Sequence, residues 1–114
     1  VRCVRADLLE WEPDRPYELW HDRAVLHFLV ERQDRERYFA TMRKAVTPGG
    51  SVILGVFAAD GPEVCSGLSV QRYSAADLIG ALGEAFQAIA TRREVHVTPS
   101  GAVQPFIWIA GSIA

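Results

Sequence analysis

The chain has 114 residues, 49% hydrophobic, 23% charged and 10% aromatic, with a formal net charge of −2. That length fits one domain with a modest core, residues 1–114, and the composition is globular rather than disordered. The slight acidity argues against a nucleic-acid module, and no apolar run nears the roughly 20 residues of a bilayer span.

Cys3 and Cys65 lie far apart, fitting neither a metal pair nor a disulfide framework, so they read as unlinked thiols in a reducing cytoplasm. No metal-ligand spacing appears. The chain opens on Val1 rather than Met, which suggests a processed product, an excised segment or a non-ATG start. Eleven Arg stand against one Lys, Lys44, a skew that points to a GC-rich genome.

In chain order, residues 1–6 (VRCVRA) are rich in β-formers and predict a short strand, with Asp7 at its carboxyl end. Pro13, Asp14 and Pro16 make residues 8–16 a loop. Tyr17 to Trp20 predicts a second strand, ending in His21-Asp22-Arg23. Residues 24–30 are apolar, and periodicity does not separate a helical turn from an extended continuation. From Glu31 to Ala45 the pattern is helical, with Tyr38, Met42 and Ala45 on one stripe, Phe39 beside it, and a Glu31–Arg35 pair on the solvated face.

Thr47-Pro48-Gly49-Gly50 must end that helix. Ser51 to Ala58 (SVILGVFA) then predicts a strand buried on both faces, as in helix-covered parallel sheets. Residues 60–72 form a loop. Ser74 caps a second helix, with Asp77 as its capping-box partner and Leu78, Ile79, Leu82 and Ala85 on its buried face. Phe86 to Val97 and Ala102 to Ile109 are strands joined by Thr98-Pro99-Ser100-Gly101, hence an antiparallel hairpin. Strands alternating with helices give an α/β, Rossmann-like, mostly parallel sheet with an antiparallel C-terminal hairpin.

The run Tyr17-Glu18-Leu19-Trp20-His21-Asp22-Arg23-Ala24-Val25-Leu26-His27, with Arg35 and Tyr38 as an Arg-x-x-Tyr and Pro48-Gly49-Gly50 before a buried strand, resembles class I S-adenosylmethionine (SAM)-dependent methyltransferases. Within that group it is most similar to the small-molecule thiopurine and tellurite-resistance branch. The resemblance covers nearly the whole chain but only the second half of the family domain. The family opens with a strand, a GxGxG loop for the methionine part of SAM, and a second strand ending in an acid. No GxG pattern occurs here. The resemblance therefore implies a fold lacking the N-terminal strands and beginning at the third. Family strand order 3-2-1-4-5-7-6 would leave Tyr17 to Trp20 as an open, apolar sheet edge, which invites pairing with a missing half or with a second copy as a homodimer.

What the resemblance implies for the site follows strand by strand. Asp7 and the Leu8 amide would hold adenine, His21 would line the cofactor pocket, and Arg23 would sit near the SAM carboxylate or the pocket mouth. Each has a plainer reading: Asp7 as a loop cap, His21 as a solvent-facing side chain, Arg23 as an ion-pair partner of Asp22 or a helix end. Asp22 reads as a cap for its turn, His27 as a core histidine, and Trp11 and Trp20 as packing residues. No role falls to His96, and no catalytic residue is identified. The implied activity is methyl transfer from SAM to a small molecule, with residues 60–73 shaping the acceptor pocket and the chain alone inactive without the glycine loop. A non-catalytic α/β interaction module, or another Rossmann-like enzyme such as a nicotinamide-dependent one, remains the alternative.

Overall fold

The computed structural model describes residues 2–114. Strand β1 (Tyr17–Arg23) leads through a 3-10 turn (Leu26–Phe28) to helix α1 (Arg32–Ala45) and strand β2 (Val46–Phe57). A small hairpin, β3 (Val64–Cys65) with β4 (Leu68–Ser69), precedes helix α2 (Ala75–Leu82). Strands β5 (Phe86–Val97) and β6 (Val103–Ile113) close the chain. The main sheet has the order β1-β2-β6-β5, with β1 parallel to β2 and β6 antiparallel to both its neighbours. The reversed C-terminal strand thus lies between β2 and β5, as the resemblance implied.

Local sequence explains most boundaries. Tyr38, Met42 and Ala45 are buried along one stripe of α1. The helix ends at Ala45, slightly before Pro48, because the residue preceding a proline is pushed toward extended geometry. Gly49 then adopts φ +81°, a left-handed conformation that costs glycine little, and the β1–β2 register shifts across this turn. Ser74 accepts a hydrogen bond from the Asp77 amide and caps α2, while Leu78 and Leu82 are buried.

Four expectations are corrected, the first that β2 is buried on both faces: Ser51 is exposed and Ile53 only half-buried. Residues 2–6, read as a strand with Val1 (which lies outside the described residues), are extended but irregular. A short segment that makes no backbone hydrogen bond to a strand among the described residues has nothing to complete its pairing. The i,i+4 pair on α1 is Arg32–Glu36, at 3.1 Å, rather than Glu31–Arg35. Arg35 instead donates to the Leu29 and Val30 carbonyls. Strand β6 runs four residues beyond Ile109, since small Gly111 and polar Ser112 hid the alternation that brings Ile113 into the core.

Topology fixes which face is covered. From β1 to β2 to β5 the chain moves one way across the sheet, and right-handed crossovers then lay both helices on the same face. Val52, Leu54 and Val56 of β2 and Ile109 and Ile113 of β6 are buried there in one cluster with Tyr38, Met42, Leu78 and Leu82. The opposite face carries Leu19, His21 and Arg23 of β1, in register with Ser51, Ile53 and Gly55, and then Ala110 and Trp108. No described helix covers it, and Leu19 is 53% exposed. A doubly wound sheet covers its second face by reversing direction and adding strands beyond the first. The bare face and the open β1 edge therefore share one cause: nothing described extends the sheet past β1. No described helix is long and apolar enough to cross a membrane.

Candidate functional site

The N-terminal segment runs alongside the open edge and leaves a groove of about 680 Å³. Arg2, Val4, Ala6 and Leu8, alternate residues of an extended chain, line one wall, and Leu19, Trp20 and His21 of β1 line the other. At the carboxyl end of this wall the chain turns. Asp7 Oδ1 accepts from the Leu9 amide at 3.0 Å, and the Asp7 carbonyl accepts from the Glu10 and Trp11 amides at 3.0 and 2.8 Å. The Leu8 amide, between these, has no acceptor among the described residues. Helix α1 pins the turn: Arg37 donates to the Leu9 carbonyl, and Lys44 pairs with Glu12 at 2.9 Å.

The rim at the carboxyl end of β1 is built on Asp22. Its carboxylate accepts from the Val25 and Leu26 amides, both at 3.0 Å, and from the Tyr38 hydroxyl. Burial pushes the Asp22 carboxyl above its usual range, while these three hydrogen bonds pull the other way. Burial, together with the Asp22 charge, holds the Tyr38 hydroxyl firmly protonated. Ala24 follows in the left-handed region, at φ 63°, and its amide donates to the Gly55 carbonyl at 2.8 Å. A small residue is needed there because a β-branched one would be strained.

His27 is fully buried, and its Nδ1 accepts from the Phe57 amide at 3.1 Å, tying the rim of β1 to the end of β2. That assigns the proton to Nε2, which has no partner among the described residues, as is true of the Tyr73 hydroxyl. Burial lowers the His27 pKa to about 4, so the ring is neutral.

On the bare face, the Trp108 indole lies over Gly55, whose added Cβ would stand 2.7 Å from that ring. The His21 ring stacks against Trp108 with centroids 6.0 Å apart. Arg23 turns away from the groove and places its guanidinium 4.7 Å from the Phe106 ring centre. Beyond β2, the Asp60–Arg72 loop is fastened at its base by a two-pronged Arg93–Asp60 contact at 2.9 and 2.7 Å, and by Arg72 donating to the Gly61 carbonyl.

Of the four residues expected to bind a cofactor, Leu8 and His21 line the groove together. Asp7 sits in the turn beside Leu8 with one oxygen engaged, and Arg23 stands over Phe106 at the far end of β1. Asp22 caps its turn and Trp20 packs against the core, donating to Tyr38 at 3.0 Å. Tyr38, Arg37 and Trp108 shape the site without having been singled out for it. The Arg-x-x-Tyr spacing was the available signal for the first, since it puts Arg35, which holds the Leu29 and Val30 carbonyls, and Tyr38, which holds Asp22, on one helix face. No group of three or more His, Cys, Asp or Glu that suits a metal ion occurs among the described residues.

No family model matches the chain, and no curated protein does. Solved structures do. The 1,6-didemethyltoxoflavin-N1-methyltransferase of Burkholderia thailandensis, solved with 1,6-didemethyltoxoflavin and S-adenosylhomocysteine, superposes with a TM-score of 0.74 at 16% identity, over 97% of this chain and 50% of that one. The N-methyltransferase NodS of Bradyrhizobium japonicum, in complex with S-adenosylhomocysteine, gives 0.67 at 15% identity, over 95% and 52%. TehB of Haemophilus influenzae gives 0.68 at 11%, over 97% and 40%. The chain spans about half the length of these structures. Over that half, it has the fold of the class I SAM-dependent methyltransferases.

Proposed function

We propose that the chain is the C-terminal half of a SAM-dependent methyltransferase that acts on a small molecule. The observation that carries this reading is the turn at Asp7–Leu8, whose Leu8 faces His21 across a groove along an open parallel strand. In family order 3-2-1-4, two strands belong between the N-terminal segment and β1, and the groove lies in that interval. Open α/β sheets bind ligands outside the carboxyl ends of their strands, and His21 lies two residues short of that end of β1, with the Asp7–Leu8 turn across the groove.

The donor set fits the adenine end of the cofactor. The Leu8 N–H, without an acceptor among the described residues, offers a donor to a ring nitrogen, and the second Asp7 oxygen an acceptor for an exocyclic amine. Arg37 and Lys44 hold that turn in place from α1. Arg23, at the carboxyl end of β1, offers a guanidinium for the cofactor carboxylate once it swings from Phe106. Bound SAM supplies an already activated methyl group, so the protein need only align the acceptor and exclude water. In this reading the Asp60–Arg72 loop shapes the acceptor pocket. The Asp22 network keeps the rim rigid.

The methionine end requires close backbone approach through a glycine-rich loop, and these 114 residues contain none. The isolated chain is therefore inactive and binds SAM weakly, in the millimolar range of about −4 kcal/mol. Calorimetric titration with S-adenosylhomocysteine tests this, and a micromolar dissociation constant for the chain alone contradicts it. The free thiols Cys3 and Cys65 support a reducing, cytoplasmic setting. A second reading, a non-catalytic interaction module, is favoured by the exposed Leu19 beside half-buried Ile53 and Trp108 on the bare face. It predicts no response to the nucleoside at all.

A further inference from the structure

Strand β5 forms the other edge of the sheet. It is 12 residues long and exposed from Gln87 to Val95, with Ile89, Val95 and Val97 among the most exposed apolar side chains of the chain. A long edge of this kind templates pairing with another strand. A bulge between Ala88 and Ala90 interrupts it at one end, leaving residues 90–97 as the regular stretch.

We propose that two copies of the chain pair antiparallel through β5, about a two-fold axis normal to the sheet and centred on Arg93. Such an axis keeps each sheet face on its own side, so a residue can oppose only one of the same parity. The register is then chosen by charge. Centring on Arg93 sets Arg92 opposite the partner's Glu94 and Glu94 opposite the partner's Arg92, two attractive pairs on one face. Thr91 then faces the partner's Val95, and Ala90 the partner's His96. Centring on Glu94 would oppose two carboxylates. Centring on Arg92 would oppose two guanidinium groups and leave Glu94 across from Ala90.

The self-opposed residue in the favoured register is Arg93, and its charge is already matched. Both its terminal nitrogens are held by Asp60 of its own chain, at 2.9 and 2.7 Å. Glu94 Oε1 accepts from the Trp108 indole N–H of β6 at 3.2 Å, which leaves Oε2 for the partner's Arg92. This pairing is independent of the proposed methyl transfer and makes no use of the β1 edge.

Sedimentation of the purified chain near 100 μM tests the proposal. The expected mass is twice 12.6 kDa. Glu94→Arg alone and Arg92→Glu alone should each weaken association at least tenfold, while the double exchange Arg92→Glu with Glu94→Arg restores it. Leu19→Lys, on the β1 edge, should leave the mass unchanged, and far-ultraviolet circular dichroism checks that each variant is folded. A monomeric wild-type chain, dimeric single variants or an exchange that fails to restore pairing would each overturn it.

Discussion

The Tyr38 hydroxyl, on the buried stripe of α1, donates to the Asp22 carboxylate of β1 and accepts from the Trp20 indole N–H at 3.0 Å. One phenol thus joins the helix to the first strand. Through Asp22 it also reaches the amides of Val25 and Leu26, which begin the 3-10 turn. The rim of the candidate site is held from beneath by this chain of bonds rather than by loop packing.

Removing that phenol tests the network. Tyr38→Phe leaves Trp20 Nε1 without its acceptor and Asp22 with one donor fewer, a loss of about 1–3 kcal/mol. Urea denaturation should show it as a lower midpoint with unchanged slope. A double-mutant cycle with Asp22→Asn should give a coupling energy of about 0.5–3 kcal/mol, whereas independent effects would argue against a shared network.

His27 gives a pH signature. Its folded pKa of about 4 lies below the ordinary 6.5, so between these values the unfolded chain takes up a proton that the folded chain refuses. The stability from this group is present in full above pH 6.5 and is lost as the pH falls toward 4. The slope reaches at most about 1.4 kcal/mol per pH unit. His27→Asn keeps an acceptor near the Nδ1 position for the Phe57 amide and should flatten the acid limb of the stability profile. An unchanged limb would mean that other groups dominate it.

Gly55 reports on the bare face. Gly55→Ala drives a methyl group into the Trp108 ring and should cost about 1–3 kcal/mol through overpacking. The displaced indole would leave His21, and tryptophan fluorescence should shift with it. An unaltered spectrum and stability would mean that Trp108 is free to lie elsewhere.

Much of the architecture was legible because it rests on local signals. The Tyr38, Met42 and Ala45 stripe, the Ser74 cap and the Thr98–Gly101 turn each name their element from a few neighbouring residues. The antiparallel insertion of β6 was readable only through resemblance, since nothing in Ala102–Ile109 states which strand it will pair with. Residues 2–6 misled because β-propensity describes fit to a sheet, and a groove separates them from β1, the strand nearest to hand. The role of Tyr38 was hidden for a different reason. Its partner Asp22 lies 16 residues away and meets it only after the β1–α1 crossover has formed. The contacts of Arg37 and Lys44 with Leu9 and Glu12 depend on how the N-terminal segment returns across α1.

In the proposed function, the turn at Asp7–Leu8 and the His21 wall form the nucleoside end of a SAM site. Amide chemical-shift mapping of the chain with millimolar S-adenosylhomocysteine tests this most directly. The predicted result is a set of shifts confined to Ala6–Leu9 and Trp20–Arg23, led by the Leu8 amide and abolished by Asp7→Ala. Shifts centred on β5, or none at those positions, would contradict it.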